Sequence, residues 1–360
     1  MSRLGLHMIV KDEAHVIERC LRSVLPLIDW WVISDTGSTD GTQDVVRRVL
    51  ADVPGTLIER PWVSFGHNRQ EALDAARELE HAQPDDYTIW IDADDELVDV
   101  PAELPDLTDD GYYLEVEYGG VRFRRLTIVR LDRPWRWEGP VHEYLDFPEA
   151  KNGMLPAPRV KQYHEGARAR DPETYRKDAA LLEAHLEKHP DDPRTQYYLG
   201  QSWRDAGEYE KALEAFRLRV ANPSGWDQER WYAQYMVGRL LIALGRPQDE
   251  AATALVDAYA ARPNRAEPLV DLSDLERQRG RYAVALIYAR AASLLPYPGP
   301  AELFVDQDAY TWRIDDEIAV SCYWTGQYAE GMEHAQKALA VRPDDERLIT
   351  NVGFFKERLG

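Results

Sequence analysis

The chain has 360 residues, enough for two domains of roughly 100 to 200 residues each and for sizeable buried cores. Its 64 acidic against 43 basic residues give a net charge of -21, which argues against a protein that grips a polyanion over a broad surface. Only Cys20 and Cys322 are present, so neither a disulfide framework nor a zinc-ligand spacing exists; no signal-peptide pattern and no run of about 18 apolar residues occurs, and a cytoplasmic protein is expected.

Residues 5–10 read as a first strand that ends in Val10-Lys11-Asp12-Glu13, and apolar positions at helical spacing follow over 16–27. A second strand over 30–34 leads into Asp35-Thr36-Gly37-Ser38-Thr39-Asp40-Gly41-Thr42, a polar turn before a helix over 43–50. Residues 55–61 give a third strand, 68–79 a helix, and 88–91 a fourth strand whose apolar run stops at Asp92-Ala93-Asp94-Asp95-Glu96. Strands alternating with helices predict a largely parallel α/β sheet, with ligands at the carboxyl ends of the strands. Strands are then expected over 111–116, 120–130 and 159–164, with an irregular aromatic stretch over 135–144 between them.

From about residue 171 the pattern is helical. Gly207-Glu208-Tyr209-Glu210-Lys211-Ala212-Leu213 returns as Gly280-Arg281-Tyr282-Ala283-Val284-Ala285-Leu286 and as Gly326-Gln327-Tyr328-Ala329-Glu330, with Gly245 and Ala251 as a weaker copy. Prolines 190, 223, 263, 296 and 343 are 33, 40, 33 and 47 residues apart by subtraction. That spacing resembles the tetratricopeptide helical hairpin of about 34 residues, with insertions in the wider gaps. Glycine would make the tight turn, and tyrosine and alanine would fill large and small interlocking positions.

The acids after the fourth strand are the strongest chemical signal. Stacked carboxylates repel one another and lose hydration, a cost that a divalent cation offsets. Mg²⁺ and Mn²⁺ take one or two carboxylates and complete their shell with phosphate oxygens. Asp95 and Glu96 are expected to cap the next element. A carboxylate after the first or second strand can accept from a uracil imide or a ribose hydroxyl, with glycine and serine beside it for close approach.

In their order, Val10-Lys11-Asp12-Glu13, Asp35 to Thr42 and Asp92-Ala93-Asp94-Asp95-Glu96 resemble family 2 glycosyltransferases of the GT-A fold, over about residues 1–166. The resemblance implies a GT-A-like domain with a mixed sheet over 1–168, followed by an all-α repeat domain over 169–360. It implies a sugar-nucleotide donor, with a UDP-sugar the first candidate, bound by Val10, Asp12, Glu13, Asp35, Gly37, Asp92 and Ala93. Arg69, in Gly66-His67-Asn68-Arg69, matches a basic residue near the nucleotide or its phosphates. Asp94, helped by Asp92 and by His164 after the last strand, would hold Mn²⁺ or Mg²⁺.

Inverting transfer also needs a base for the acceptor proton. Glu143 matches that place first and Glu138 second, with His142 as an orienting or acceptor-site residue. Trp135 and Trp137 either stack on sugar or belong to the core. The acceptor is expected to be a peptide, protein or saccharide held partly by the repeats, which could also mediate oligomerisation. Arg122, Arg124, Arg125, Arg130, Arg133 and Arg136 form a local basic cluster that keeps a modified nucleic acid base in view despite the net charge. The competing class is an interaction scaffold whose α/β domain has lost catalysis. A nucleotidyltransferase is disfavoured because residues 1–13 hold no Gly-rich basic loop.

Overall fold

The computed structural model describes residues 2–118, 121–163, 165–299 and 302–360. The chain divides into two compact units, Met1–Leu181 and Leu182–Gly360. The first unit runs β1 (Leu4–Val10), α1 (Ile17–Val24), β2 (Trp30–Asp35), α2 (Thr42–Val49), β3 (Gly55–Glu59), α3 (Phe65–Arg77) and β4 (Tyr87–Trp90). It continues with β5 (Glu96–Val98), β6 (Gly111–Tyr118), β7 (Val121–Arg130), β8 (Arg136–Glu138), β9 (Tyr144–Asp146), β10 (Asn152–Met154) and β11 (Arg159–Lys161).

Among the described residues the main sheet has the order β3-β2-β1-β4-β7-β6-β11-β5, with β10 added beside β6. Strands β1 to β4 are parallel, β7 runs antiparallel to β4 and β6, and the sheet is therefore mixed. The alternation of side chains explains its two buried faces. Leu6, Met8, Trp31, Ile33 and Ile89 pack with α1 and α2 residues such as Leu21 and Val46, whereas Trp30, Val32 and Trp90 pack with Leu73 and Ala76 of α3. A strand buried on both sides must be apolar almost throughout, which is why β1, β2 and β4 read as continuous apolar runs.

One expectation needs correction: helix α3 begins before residue 68, because Ser64 caps it and accepts from the amide of His67. Of the two readings of Trp135 and Trp137 the structure selects the core, since they are 1% and 6% exposed and supply no open stacking face.

Helix α4 (Thr174–Leu186) runs through the division between the units, which lies beyond the boundary expected at 168. The second unit then pairs α5 (Pro193–Asp205) with α6 (Tyr209–Ala221), α7 (Asp227–Ala243) with α8 (Gln248–Ala261), and α9 (Glu267–Gln278) with α10 (Tyr282–Ser293). A π-helical turn (Ala309–Arg313) leads into α11 (Ile314–Trp324), which pairs with α12 (Tyr328–Val341), and α13 (Glu346–Leu359) closes the series.

Each hairpin turns in the same way: Gly207, Gly245, Gly280 and Gly326 all have φ between 63 and 76°. The amide of the next residue donates 2.9 Å to a carbonyl five positions earlier, as Glu208 does to Trp203 and Gln327 to Cys322. This helix ending requires the left-handed conformation that glycine adopts without steric cost. Ala212, Ala251 and Ala285 are buried as expected, but Tyr209 is 41% exposed, so the tyrosine of the motif is not uniformly a core residue. No helix among the described residues is long and apolar enough to cross a membrane.

Candidate functional site

The strand order reverses direction about β1, whose neighbours are β2 on one side and β4 on the other. Loops at the carboxyl ends of such strands diverge and leave a crevice. Three acidic loops open there, after Val10, from Asp35, and after Trp90.

The first two loops are laced together. Val10 presents its carbonyl to the amide and hydroxyl of Thr36 at 2.9 and 3.1 Å. Asp12 has φ of 56°; its amide donates to Ser38 Oγ and its Oδ1 accepts from the amide of Thr39. Asp35 is 1% exposed and uses Oδ1 to accept from the amides of Gly37 and Ser38, at 2.8 and 2.7 Å. Its Oδ2 is buried and takes no hydrogen bond. Gly37, at φ of 109°, has open space where a side chain would stand. A buried acceptor held ready in this way suits an N–H or O–H donor on a ligand.

The third loop meets a strap over residues 165–167. Asp94 Oδ2 accepts from the amides of Glu165 and Gly166, at 3.3 and 3.0 Å, and Glu13 Oε1 accepts from that of Ala167 at 3.1 Å. Arg19 ties the two together by bonding the carbonyl of Asp94 and the carboxylate of Glu165. A Cβ on Gly166 would lie 3.1 Å from both Asp94 Oδ2 and Glu13 Oε1, so a side chain there would press on both acids. Burial pushes the Glu13 carboxyl up to about 7, assisted by the charge of Asp94, and its Oε2 is buried without a hydrogen bond. His164, which precedes this strap in the sequence, lies outside the described residues.

Asp94 and Glu13 bring carboxylate oxygens together, which fits the chemistry of a hard cation. Among the described residues no group of three or more His, Cys, Asp or Glu side chains converges as a ready cage. Ala93 is buried between the two aspartates.

Asp92 turns the other way. It accepts from Arg69 at 2.5 Å and faces Arg125 at 3.5 Å. Burial opposes its charge, but Arg69 and then Arg125 hold it below the usual carboxylate range. Asp95, expected to cap the next element, is instead fully buried against Arg125. Burial and the neighbouring Asp92 push its carboxyl up. Glu96 enters β5 and accepts from the hydroxyl of Tyr163.

Glu143 lies on the loop after β8, with its side chain 9% exposed, and accepts from Arg69 Nε at 2.5 Å. Glu138 and His142 are exposed, and His142 has φ of 53°. The structure therefore brings Arg69, Asp92 and Glu143 together, and separately Glu13 and Asp94. Arg125 and Arg19 are the members that sequence reasoning missed. Arg125 carried a signal as part of the basic cluster, but that cluster is dispersed: Arg122 pairs with Glu115, Arg130 with Asp132 and Arg133 with Asp110.

Comparison with known proteins bears on this arrangement. Residues 6–112 match the family model of glycosyl transferase family 2. A TPR repeat-containing protein of Synechococcus elongatus is 27% identical over 318 residues, which cover 81% of this chain and 75% of that protein. The SPbeta prophage-derived glycosyltransferase SunS of Bacillus subtilis is 23% identical over 258 residues, 66% of this chain and 58% of SunS. Among solved structures, the TPR protein YrrB is similar at 17% identity and a TM-score of 0.38, covering 49% of this chain and 82% of that one.

Proposed function

We propose, from the premise of a glycosyltransferase family 2 domain followed by tetratricopeptide-type repeats, that this chain is an inverting, metal-dependent glycosyltransferase using a nucleotide diphosphate sugar. The observation that carries the reading is the convergence of acids at the carboxyl ends of β1, β2 and β4, all within the matched segment. Asp35 would accept from the nucleobase through its free Oδ2, and Asp12 and Glu13 would line the nucleoside end. A UDP-sugar is the first donor to test, since a uracil imide offers the N–H that such an oxygen needs.

Asp94 with His164 would hold Mn²⁺ or Mg²⁺, which when bound supplies positive charge toward the leaving diphosphate. Glu143 acts as the base. It takes the proton from an acceptor hydroxyl, thiol or amide as that atom bonds to the anomeric carbon, while the bond from that carbon to the diphosphate oxygen breaks on the opposite side. The guanidinium of Arg69, donating through Nε at 2.5 Å, fixes where the Glu143 side chain stands. The acceptor is a peptide or protein, which suits a helical-repeat unit because such hairpins present grooves to extended chains. Operation in the cytoplasm accords with two free, buried thiols.

A screen of UDP-, GDP- and TDP-sugars for hydrolysis in Mn²⁺ tests the reading. Turnover of one donor is expected in the wild type, and absence of both binding and turnover with all of them would favour the interaction scaffold. Glu143→Gln should keep nucleotide affinity and lower transfer by about a thousandfold. Unchanged turnover would remove Glu143 as the base.

A further inference from the structure

A single guanidinium joins the two sides of the candidate site. Arg69 is 6% exposed, and it donates through Nε to Glu143 Oε1 and through Nη2 to Asp92 Oδ1, each at 2.5 Å. Asp92 in turn faces Arg125, which reaches Asp95 at 3.1 Å. Charges therefore alternate in the order Glu143, Arg69, Asp92, Arg125, Asp95. Both arginines of this ladder lie on the ring of Trp90, at 4.7 and 4.3 Å, and Arg69 is also 5.2 Å from that of Trp137. The Trp90 indole is itself fixed by donating to the carbonyl of Leu126 at 2.8 Å.

The segment that carries Glu143 is held to α3 at further points. The amide of Phe65 donates to the carbonyl of Pro140, and that of Trp137 to Gln70 Oε1. A Cβ on Gly66 would lie 2.2 Å from the carbonyl oxygen of Gly139, so no other residue allows this approach.

A buried guanidinium is costly unless its charge is matched, and here two carboxylates match it while two aromatic rings fix its plane. A donor phosphate that sought Nε or Nη2 would have to displace one of those carboxylates and leave a buried anion unpaired. We infer that Arg69 is a positioning residue. It acts through Glu143 and Asp92, setting the acceptor-side carboxylate relative to the donor-side one, and does not serve as a ligand to the donor phosphates. The inference rests on the transferase reading for the roles of those two acids. The planar fork of arginine is what the geometry uses, since it can satisfy two separate carboxylates in one fixed arrangement.

The test is a double-mutant cycle of wild type, Arg69→Gln, Glu143→Gln and the double variant, with Arg69→Lys alongside, read by steady-state donor turnover and by urea unfolding. Arg69→Gln should lower kcat about a hundredfold with the donor KM changed by less than about threefold. Arg69→Lys should recover about tenfold of that loss, because it restores charge but not the fork. The double variant should fall no more than about threefold below Glu143→Gln. Losses that multiply in the double variant, or a loss carried by the donor KM, would overturn the inference. Where wild type turned over no donor, the transferase reading would fall alone, and the clamp would be decided by unfolding: coupled losses support it and additive losses overturn it. Should Arg69→Gln fail to fold, Arg69→Lys completes the same cycle.

Discussion

In the helical unit Arg265 and Glu267 are 0% and 1% exposed and bond to each other at 2.7 Å, with Tyr310 on the second carboxylate oxygen and the ring of Trp231 4.0 Å from the guanidinium. Partly exposed arginines pair with buried acids of other helices, Arg313 with Asp271, Arg277 with Glu317 and Arg347 with Asp316. In the α/β unit Glu13, Asp35 and Asp95 each keep a carboxylate oxygen that is buried and takes no hydrogen bond, whereas the comparable atom of the helical unit, Glu276 Oε2, still faces Arg281 Nε at 3.0 Å. A buried polar atom without a partner costs about 1–3 kcal/mol, which a purely structural ladder has reason to avoid. The contrast separates charge that is paired between helices from carboxylate oxygens that are left without a partner.

The largest effect expected on that contrast is kinetic. Asp94→Ala should lower donor turnover on the order of 10⁴-fold while leaving the unfolding midpoint nearly unchanged, since charge stabilisation at the diphosphate is worth several kcal/mol. Full activity in this variant would mean that the strap amides are the only use of Asp94. Next comes the helical unit, where the reverse signature is expected. Arg265→Met leaves Glu267 buried without its counterion and should cost about 3–5 kcal/mol in unfolding, with nucleotide affinity unchanged. Loss of nucleotide affinity without loss of stability would break the separation between the two kinds of charge.

How far the sequence disclosed this can be judged from particular residues. The strands β1, β2 and β4 were legible because an apolar run buried on both faces ends abruptly where acids begin, and the hairpin turns because a left-handed helix end calls for glycine at a repeating position. The segment Glu96–Val98 was not, since a three-residue strand carries no periodicity and owes its existence to pairing with β11. Arg69 was legible as a site residue, but what it pairs with was not. Its partners lie 23 and 74 positions away, and only the folded sheet brings them within reach of one guanidinium. Asp95 read as a cap because Arg125, 30 positions on, is invisible to local pattern.

The smallest effect tests whether unpaired burial in the α/β unit also shows in its pH dependence. His7 is 1% exposed, with Nδ1 2.9 Å from the hydroxyl of Thr88 and Nε2 buried without a partner. Burial, with lesser help from the positive charges of Arg69 and Arg77, lowers its pKa from 6.5 to about 3. The unfolded chain therefore takes up a proton near 6.5 and the folded chain only near 3, so between these values the unfolded state binds more protons and stability rises with pH. At about pH 5 the neutral folded histidine should cost about 2 kcal/mol relative to about pH 8. His7→Gln, which keeps a polar group beside Thr88, removes that dependence, while the carboxylates common to both proteins cancel in the difference. Unfolding midpoints at the two pH values should draw wild type and variant apart under acid. Parallel midpoints would mean that the imidazole gains a proton inside the fold, and that this unit accommodates buried positive charge as readily as the helical one.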